Sequence, residues 1–317
     1  MAIAAPSALG GVVRNAPAPR RGMIGERWYV PYLFILPHFV FFSLFIGWPF
    51  LLGIWISLHD FDFLREEQPF VGLHNFLILF TPGSIHFSRF WGSLWNTVIF
   101  VIISTPTMVM VGLLLAVLLN GRYPGRNFFR SVYFAPWTLS VAVVGVTWRW
   151  LLNAQLSPLN GPLAAIGIQA PGWLTSNPSA WISILVATLW WTIGFNTIIL
   201  LAGIQNIPTE LYEASAVDGA SRWKQFWRIT IPSLRPVLLL VVNLQIIASF
   251  NLFGQPQLMT GGGPPPNETT PVMFYIYNTG FTGSYELGVA SAMALLVATA
   301  MLVVSVVNFR VFRTEAV

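Results

Sequence analysis

Cysteine is absent from all 317 residues, so no disulfide framework, thiolate nucleophile or cysteine-ligated metal is available. Charge is almost as scarce. Only 9% of the residues are Asp, Glu, Lys or Arg, against about 25% in an ordinary soluble domain, which is too little to coat a water-facing globule. Lysine occurs once, as Lys224, and no G-x-x-x-x-G-K-[ST] phosphate loop surrounds it. His38, His59, His74 and His86 stand at no zinc-binding spacing. No nucleophile–base pair or metal cluster is visible, so no catalytic residue and no metal ligand is expected, and the chain reads as a non-enzyme. Asp and Glu are confined to loops and tails, whereas intramembrane acids mark proton-driven transporters and pumps. An ion-coupled secondary transporter of a small polar solute is therefore the less favoured alternative.

What the sequence does contain is apolar: 55% hydrophobic residues, 15% aromatic. About 20 apolar residues cross a hydrocarbon core, and six stretches are long enough: 30–58, 94–119, 131–152, 181–202, 234–253 and 287–309. Backbone polar groups must be satisfied within lipid, so each of these runs has to be a helix. The predicted class is an all-α polytopic membrane protein with six transmembrane helices. Residues 1–27, rich in Ala, Pro and Gly with scattered Arg, read as a flexible cytoplasmic tail ahead of a six-span domain over 28–317. Loop 59–93 has room for a short helix lying along the membrane, and loop 154–180 is turn-rich in Pro and Gly.

Basic residues orient the spans, because cytoplasmic loops accumulate Lys and Arg. One side carries Arg14, Arg20, Arg21, Arg27, Arg122, Arg126, Arg130, Arg222, Lys224, Arg228, Arg235, Arg310 and Arg313; the other has only Arg65 and Arg89. Both termini are therefore expected in the cytoplasm. Arg149, between Trp148 and Trp150 at the outer end of the third run, is expected to snorkel to the headgroups.

Segment 208–232, PTELYEASAVDGASRWKQFWRITIP, is polar and lies on the cytoplasmic side. Thr209 is placed to cap a helix, with Glu210 and Glu213 in its first turns at the positive end of the dipole. Gly219 sits where a left-handed residue would end that helix. A second helix follows, with Trp223, Phe226, Trp227 and Ile231 on one face and Arg222, Lys224, Gln225 and Arg228 on the other. Pro232 is expected to stop it before the fifth span. Such a helix–turn–helix either lies among lipid headgroups or docks into a soluble partner.

The segment resembles the EAA loop of ABC importer permeases, E-A-A, three residues, Gly, nine residues, then I-x-L-P. Here Glu213, Ala214 and Ser215 are followed by Asp218, Gly219 and Arg222, then by Ile229, Ile231 and Pro232. Ser215 replaces Ala and Ile231 replaces Leu. Phe70-Val71-Gly72-Leu73-His74-Asn75-Phe76 and Leu258-Met259-Thr260-Gly261-Gly262-Gly263-Pro264 are similar to segments of carbohydrate-importer permeases of the maltose and glycerol-phosphate type. The resemblance extends over most of the chain beyond the tail and implies the type I importer permease fold in the bacterial inner membrane. It also implies a coupling helix at 208–232 that docks on an ATPase. Implied partners are a second homologous permease subunit, two ABC ATPase subunits and an extracytoplasmic solute-binding protein. ATP and Mg would sit on the ATPase, with no cofactor on this chain.

Uncharged hydrogen-bonding groups inside spans are costly unless they meet protein, water or solute. Interhelical bonding is the favoured reading for Asn243 and Gln245. A sugar needs amides and hydroxyls for its OH groups and an aromatic surface for its C–H face. Asn196, Thr197, Ser249 and Asn251 fall where the resemblance places solute-contacting residues of the maltose-type permease, and with Trp191, Gly194 and Gln255 they are the candidate path.

Overall fold

The computed structural model of the protein describes residues 29–62, 64–121, 123–153, 155, 157–167, 171–264, 268–282 and 285–313. The predicted tail, with its four arginines, and Arg122 lie outside them. Among the described residues the chain is helical, without strands, and has two isolated antiparallel bridges, His59 with Phe70 and Asp62 with Glu286. It divides into a unit ending at Leu52 and a unit beginning at Gly53.

The first unit consists, where described, of apolar helix. Val30–Phe42 carries a proline in its first turn, where the missing N–H has no helical partner to lose. It runs through one π turn, Ser43–Gly47, into Trp48–Ser57. Its side chains are apolar on every side and none up to Leu52 is buried, which suits a helix solvated by lipid. Together Val30–Ser57 is the span expected at 30–58.

In the second unit, Ser179–Gln205 and Leu287–Arg313 match the fourth and sixth expected spans. Three expectations need correction. The second span is Ile85–Asn120, 36 residues, beginning nine residues before the predicted 94. Ser84 caps it through its side chain, which accepts from the His86 N–H, so the helix begins with the turns around Arg89. Its rise of about 54 Å exceeds a hydrocarbon core of about 30 Å.

The third span, expected to be continuous over 131–152, is broken. Arg126–Thr138 and Val141–Leu151 meet at 98°. Pro136 tightens the first piece into a 3₁₀ turn, Ala135–Thr138, and Leu139 and Ser140 are extended before Ser140 caps the second piece. The fifth span ends at Phe250 rather than 253, with Asn251 as its C-cap. Short helices at Gly254–Met259 and Val272–Tyr277 line the loop that follows.

Two main apolar clusters hold the unit. One joins Ala116 and Leu119 of the second span to Leu200, Leu201 and Ile204 of the fourth and Leu234 and Val241 of the fifth. The other, at the opposite end of the second span, joins Phe90 and Leu79 to Val272, Val289, Met293 and Val297. Loop 59–93 does hold the expected short helix, His74–Leu77. Asn75, buried there, donates from Nδ2 to the carbonyls of both Ser57 and His59 at 2.9 Å. Those are carbonyls at and just past the end of the first helix, where intrahelical partners run out. The Asn of the F-x-G-L-x-N-F segment is therefore a helix terminator in side-chain form.

Candidate functional site

The polar segment after the fourth span folds as two helices. The first, Thr209–Val217, starts from Pro208; Thr209 is inside it and does not cap it, which corrects the expectation for that residue. Glu210 lies in its first turn, as expected. The helix ends in a Schellman motif. The Gly219 N–H reaches the Ala216 carbonyl at 3.0 Å and the Ala220 N–H reaches the Ser215 carbonyl at 2.9 Å, with Gly219 at φ +74°. Asp218 is the C-cap. Gly219 therefore holds the left-handed position expected for it.

Ser221 caps the second helix by accepting from the Lys224 N–H. That helix does not stop at Pro232. Arg222–Gln225 passes through a π turn, Phe226–Thr230, into Ile231–Phe250, so Arg222–Phe250 is one 29-residue rod. Pro232 falls in the first turn of the α-helical part, a position where its missing N–H is tolerated. The π turn resets the backbone register there, and the expected stop becomes a continuation.

Gln225, read from sequence as one more residue of a polar face, is the buried pin between the two helices. Its Nε2 donates to the Tyr212 carbonyl at 3.1 Å and to Ser215 Oγ at 2.9 Å. Tyr212 and Thr230 hydroxyls bond at 2.9 Å on the same inner side. Ser215, the departure from E-A-A, is thus matched by an amide across the gap. The outer side is left open: Val217 is 89% exposed, Trp223 71% and Trp227 52%. Glu213, Ala214, Asp218 and Arg222 are exposed beside them, while Ile229 packs half-buried on the core below.

At the break in the third span, a second group of residues converges. Trp191 Nε1 donates to the free-standing Leu139 carbonyl at 3.1 Å. Trp137 stacks on Phe195 at 4.8 Å and lies 5.9 Å from Trp191. Two residues beyond Leu139, Val141 packs on Gly254, where a Cβ would lie 2.5 Å from its Cγ2. The break therefore gathers the Trp191 face of the fourth span and the chain just beyond the Phe250 end of the fifth at one place. Gly194 permits this, because a Cβ on it would strike the Tyr133 carbonyl.

The path candidates divide by environment. Asn251 is exposed, its Nδ2 bonded to the Ile247 carbonyl at 2.8 Å, and Trp191 is half-buried. Asn196, Thr197, Ser249 and Gln255 are buried. Asn196 donates to Gln245 Oε1 at 3.0 Å, Gln245 to Ser249 Oγ at 3.1 Å, and Ser249 meets Ser104 at 2.9 Å. Thr197 bonds the Ile193 carbonyl of its own helix. Asn243 accepts from Asn308 at 2.8 Å, tying the fifth span to the sixth. Gln245 is thus an interhelical residue, as read, and Asn196 and Ser249 share its network.

Residues 76–313 match the family described as the binding-protein-dependent transport system inner membrane component. The trehalose/maltose transport system permease protein MalF of Thermococcus litoralis is 36% identical over 283 residues, covering 89% of this chain and 93% of that one. The sn-glycerol-3-phosphate transport system permease protein UgpA of Shigella flexneri is 33% identical over 294 residues, covering 92% and 96%. Among solved structures, a bacterial alginate ABC transporter in complex with an alginate pentasaccharide-bound periplasmic protein superposes with a TM-score of 0.76. It is 25% identical and covers 88% of this chain and 92% of that one.

Proposed function

The chain belongs to the family of binding-protein-dependent transport system inner membrane components, and on that premise we propose how it carries a sugar or sugar-like solute into the cytoplasm. It is the permease subunit of an ABC importer, and ATP is hydrolysed on a separate subunit. The similar permeases named for trehalose and maltose, sulfoquinovosyl glycerol and arabinooligosaccharides support a sugar solute. Its complete assembly comprises this chain, a second homologous permease, two ATPases holding ATP and Mg, and an extracytoplasmic solute-binding protein. Both termini lie in the cytoplasm, in keeping with the distribution of arginine.

The observation that carries the coupling role is the open face of 209–230. An apolar, aromatic surface stands on a backbone pinned from beneath by Gln225 and Tyr212, and a rigid exposed anchor suits insertion into a partner cleft. Glu213, Ala214, Asp218 and Arg222 surround the docking surface; Ser215, Gly219, Ile229 and Pro232 set its shape. The solute passes the break in the third span. There Trp191 and Asn251 contact it, Gly194 admits the close approach, and Asn196, Thr197, Ser249 and Gln255 form the bonded wall behind.

Replacing the Asn251 amide by an isosteric apolar group tests the path. Asn251→Leu should lower ATP-driven sugar uptake in proteoliposomes about tenfold, the equivalent of one lost hydrogen bond of about 1.4 kcal/mol, with assembly intact. Unchanged uptake would leave Asn251 as a C-cap and nothing more. Uptake driven by an ion gradient without ATP would remove the ABC reading itself.

A further inference from the structure

At the end of the second span that carries Arg89, a cavity of about 550 Å³ opens between that helix, the glycine-rich loop and the short helix Val272–Tyr277. Pockets that hold small ligands run to about 300–1,000 Å³. Arg89, Trp95 and Asn96 line it from the span, Glu268 from the loop, and Tyr275 and Asn278 from the far wall. Its walls are fastened together. Asn96 Nδ2 donates to the Thr270 carbonyl at 3.2 Å, the Val272 N–H donates to Thr97 Oγ1 at 2.8 Å, and His86 Nδ1 meets the Tyr275 hydroxyl at 3.1 Å. Trp181 Nε1 of the fourth span holds the backbone carbonyl of Glu268 at 3.0 Å.

Two charges are left over by this frame. Neither the Arg89 guanidinium nor the Glu268 carboxylate forms an ion pair or side-chain hydrogen bond among the described residues. A guanidinium presents a planar fork of donors, and a carboxylate presents acceptors only. Vicinal hydroxyls on a ring are donors and acceptors at once and satisfy both. Asn278 adds a donor and an acceptor, and the indole of Trp95 offers a flat surface to C–H groups. Burial pushes the Tyr275 phenol above its ordinary value, so it remains a neutral hydroxyl. A net anion would gain from Arg89 and lose to Glu268, and a net cation the reverse; a neutral polyol meets neither penalty.

We propose that this cavity is a second solute site, separate from the break in the third span, that holds a hydroxylated ring of a neutral sugar at the outer face. This rests on the sugar-permease reading and on the orientation given above. Its place at the outer end of the second span would let it retain solute delivered from outside.

The absence of native cysteine allows a direct test. In the assembled importer, Ser88→Cys, on the cavity wall, is labelled with a membrane-impermeant maleimide and read as the mass of this chain. Maltose and trehalose are the probes, without ATP. Labelling should slow by the factor 1 + [L]/Kd, about fivefold when the sugar exceeds its Kd about fourfold. Thr81→Cys, exposed and outside the cavity, should label at an unchanged rate, and glycine betaine should protect neither. Arg89→Gln combined with Glu268→Gln should abolish the protection. Equal labelling of Ser88→Cys with and without both sugars, or equal protection of Thr81→Cys, overturns the site. ATP-driven maltose uptake without protection overturns the site alone; protection without any ATP-driven uptake supports the site and counts against the transport reading.

Discussion

Gln225→Leu removes the pin between the helices of 209–230 while keeping the side chain's approximate volume. Two hydrogen bonds go, to the Tyr212 carbonyl and to Ser215 Oγ. A buried group stripped of its partner costs about 1–3 kcal/mol. The Tyr212 carbonyl keeps Ser215 Oγ as a donor at 2.9 Å, so its loss is partial. The Gln225 Oε1 has no partner among the described residues, so deleting it recovers part of the desolvation cost. The net is about 1–2 kcal/mol, a factor of about 5–30 in the local opening equilibrium. Amide hydrogen exchange of 209–230 in nanodiscs should accelerate by that factor, with the spans unaffected. Ser215→Ala should cost less, and the double variant should fall short of the sum by about 1 kcal/mol, since both singles break the same bond. Additive effects, or exchange within twofold of wild type in Gln225→Leu, would refute the pin.

Gly219→Ala should cost about 1–2 kcal/mol from positive φ alone, since a Cβ there meets nothing within 4 Å. Gly219→Asn should recover part of that because Asn tolerates the left-handed region, and ATPase co-purification should follow the order Gly, Asn, Ala; equal retention would remove the turn from the docking geometry. Asn75→Leu should lower the thermal unfolding midpoint in detergent by leaving two carbonyls unmet, about 2–3 kcal/mol in all, and an unchanged midpoint would mean that water replaces the amide.

The spans were legible because composition decides solvent: a run of about 20 apolar residues has few fates besides a membrane helix. Gly219 was legible because its role depends on its own φ and its place in a motif, both local. Gln225 was not. On a helical wheel it shares a face with Arg222 and Arg228, and only the fold-back of Thr209–Val217 over it turns a polar face into a buried contact. Pro232 misled for a related reason. Proline costs a helix both the N–H bond to the carbonyl four residues back and a clash of its ring with that carbonyl, and the π turn at Phe226–Thr230 shifts the register just ahead of Pro232 so that the helix runs on. The break in the third span was marked by Pro136, but an apolar run reads alike whether straight or bent by 98°.

The continuity of Arg222–Phe250 bears on how docking reaches the solute path. A helix that ended at Pro232 would leave the proposed docking segment on a loop, free to shift without consequence above it. Instead the residues proposed to meet the ATPase, Arg222 and Trp223, begin a rod that rises about 44 Å and ends beside Asn251. On that rod Gln245 and Ser249 hold Asn196 of the fourth span and Ser104 of the second. Asn243 holds Asn308 of the sixth. Displacing the Arg222 end must therefore either move the fifth span with its bonded neighbours or break a buried polar network, at about 1–3 kcal/mol for each group left unpaired. Concerted movement is the cheaper course. The amides buried in the wall then act as the ties that make the spans move as one body, and the half-buried Trp191 and the exposed Asn251 are left for the contact with solute proposed above.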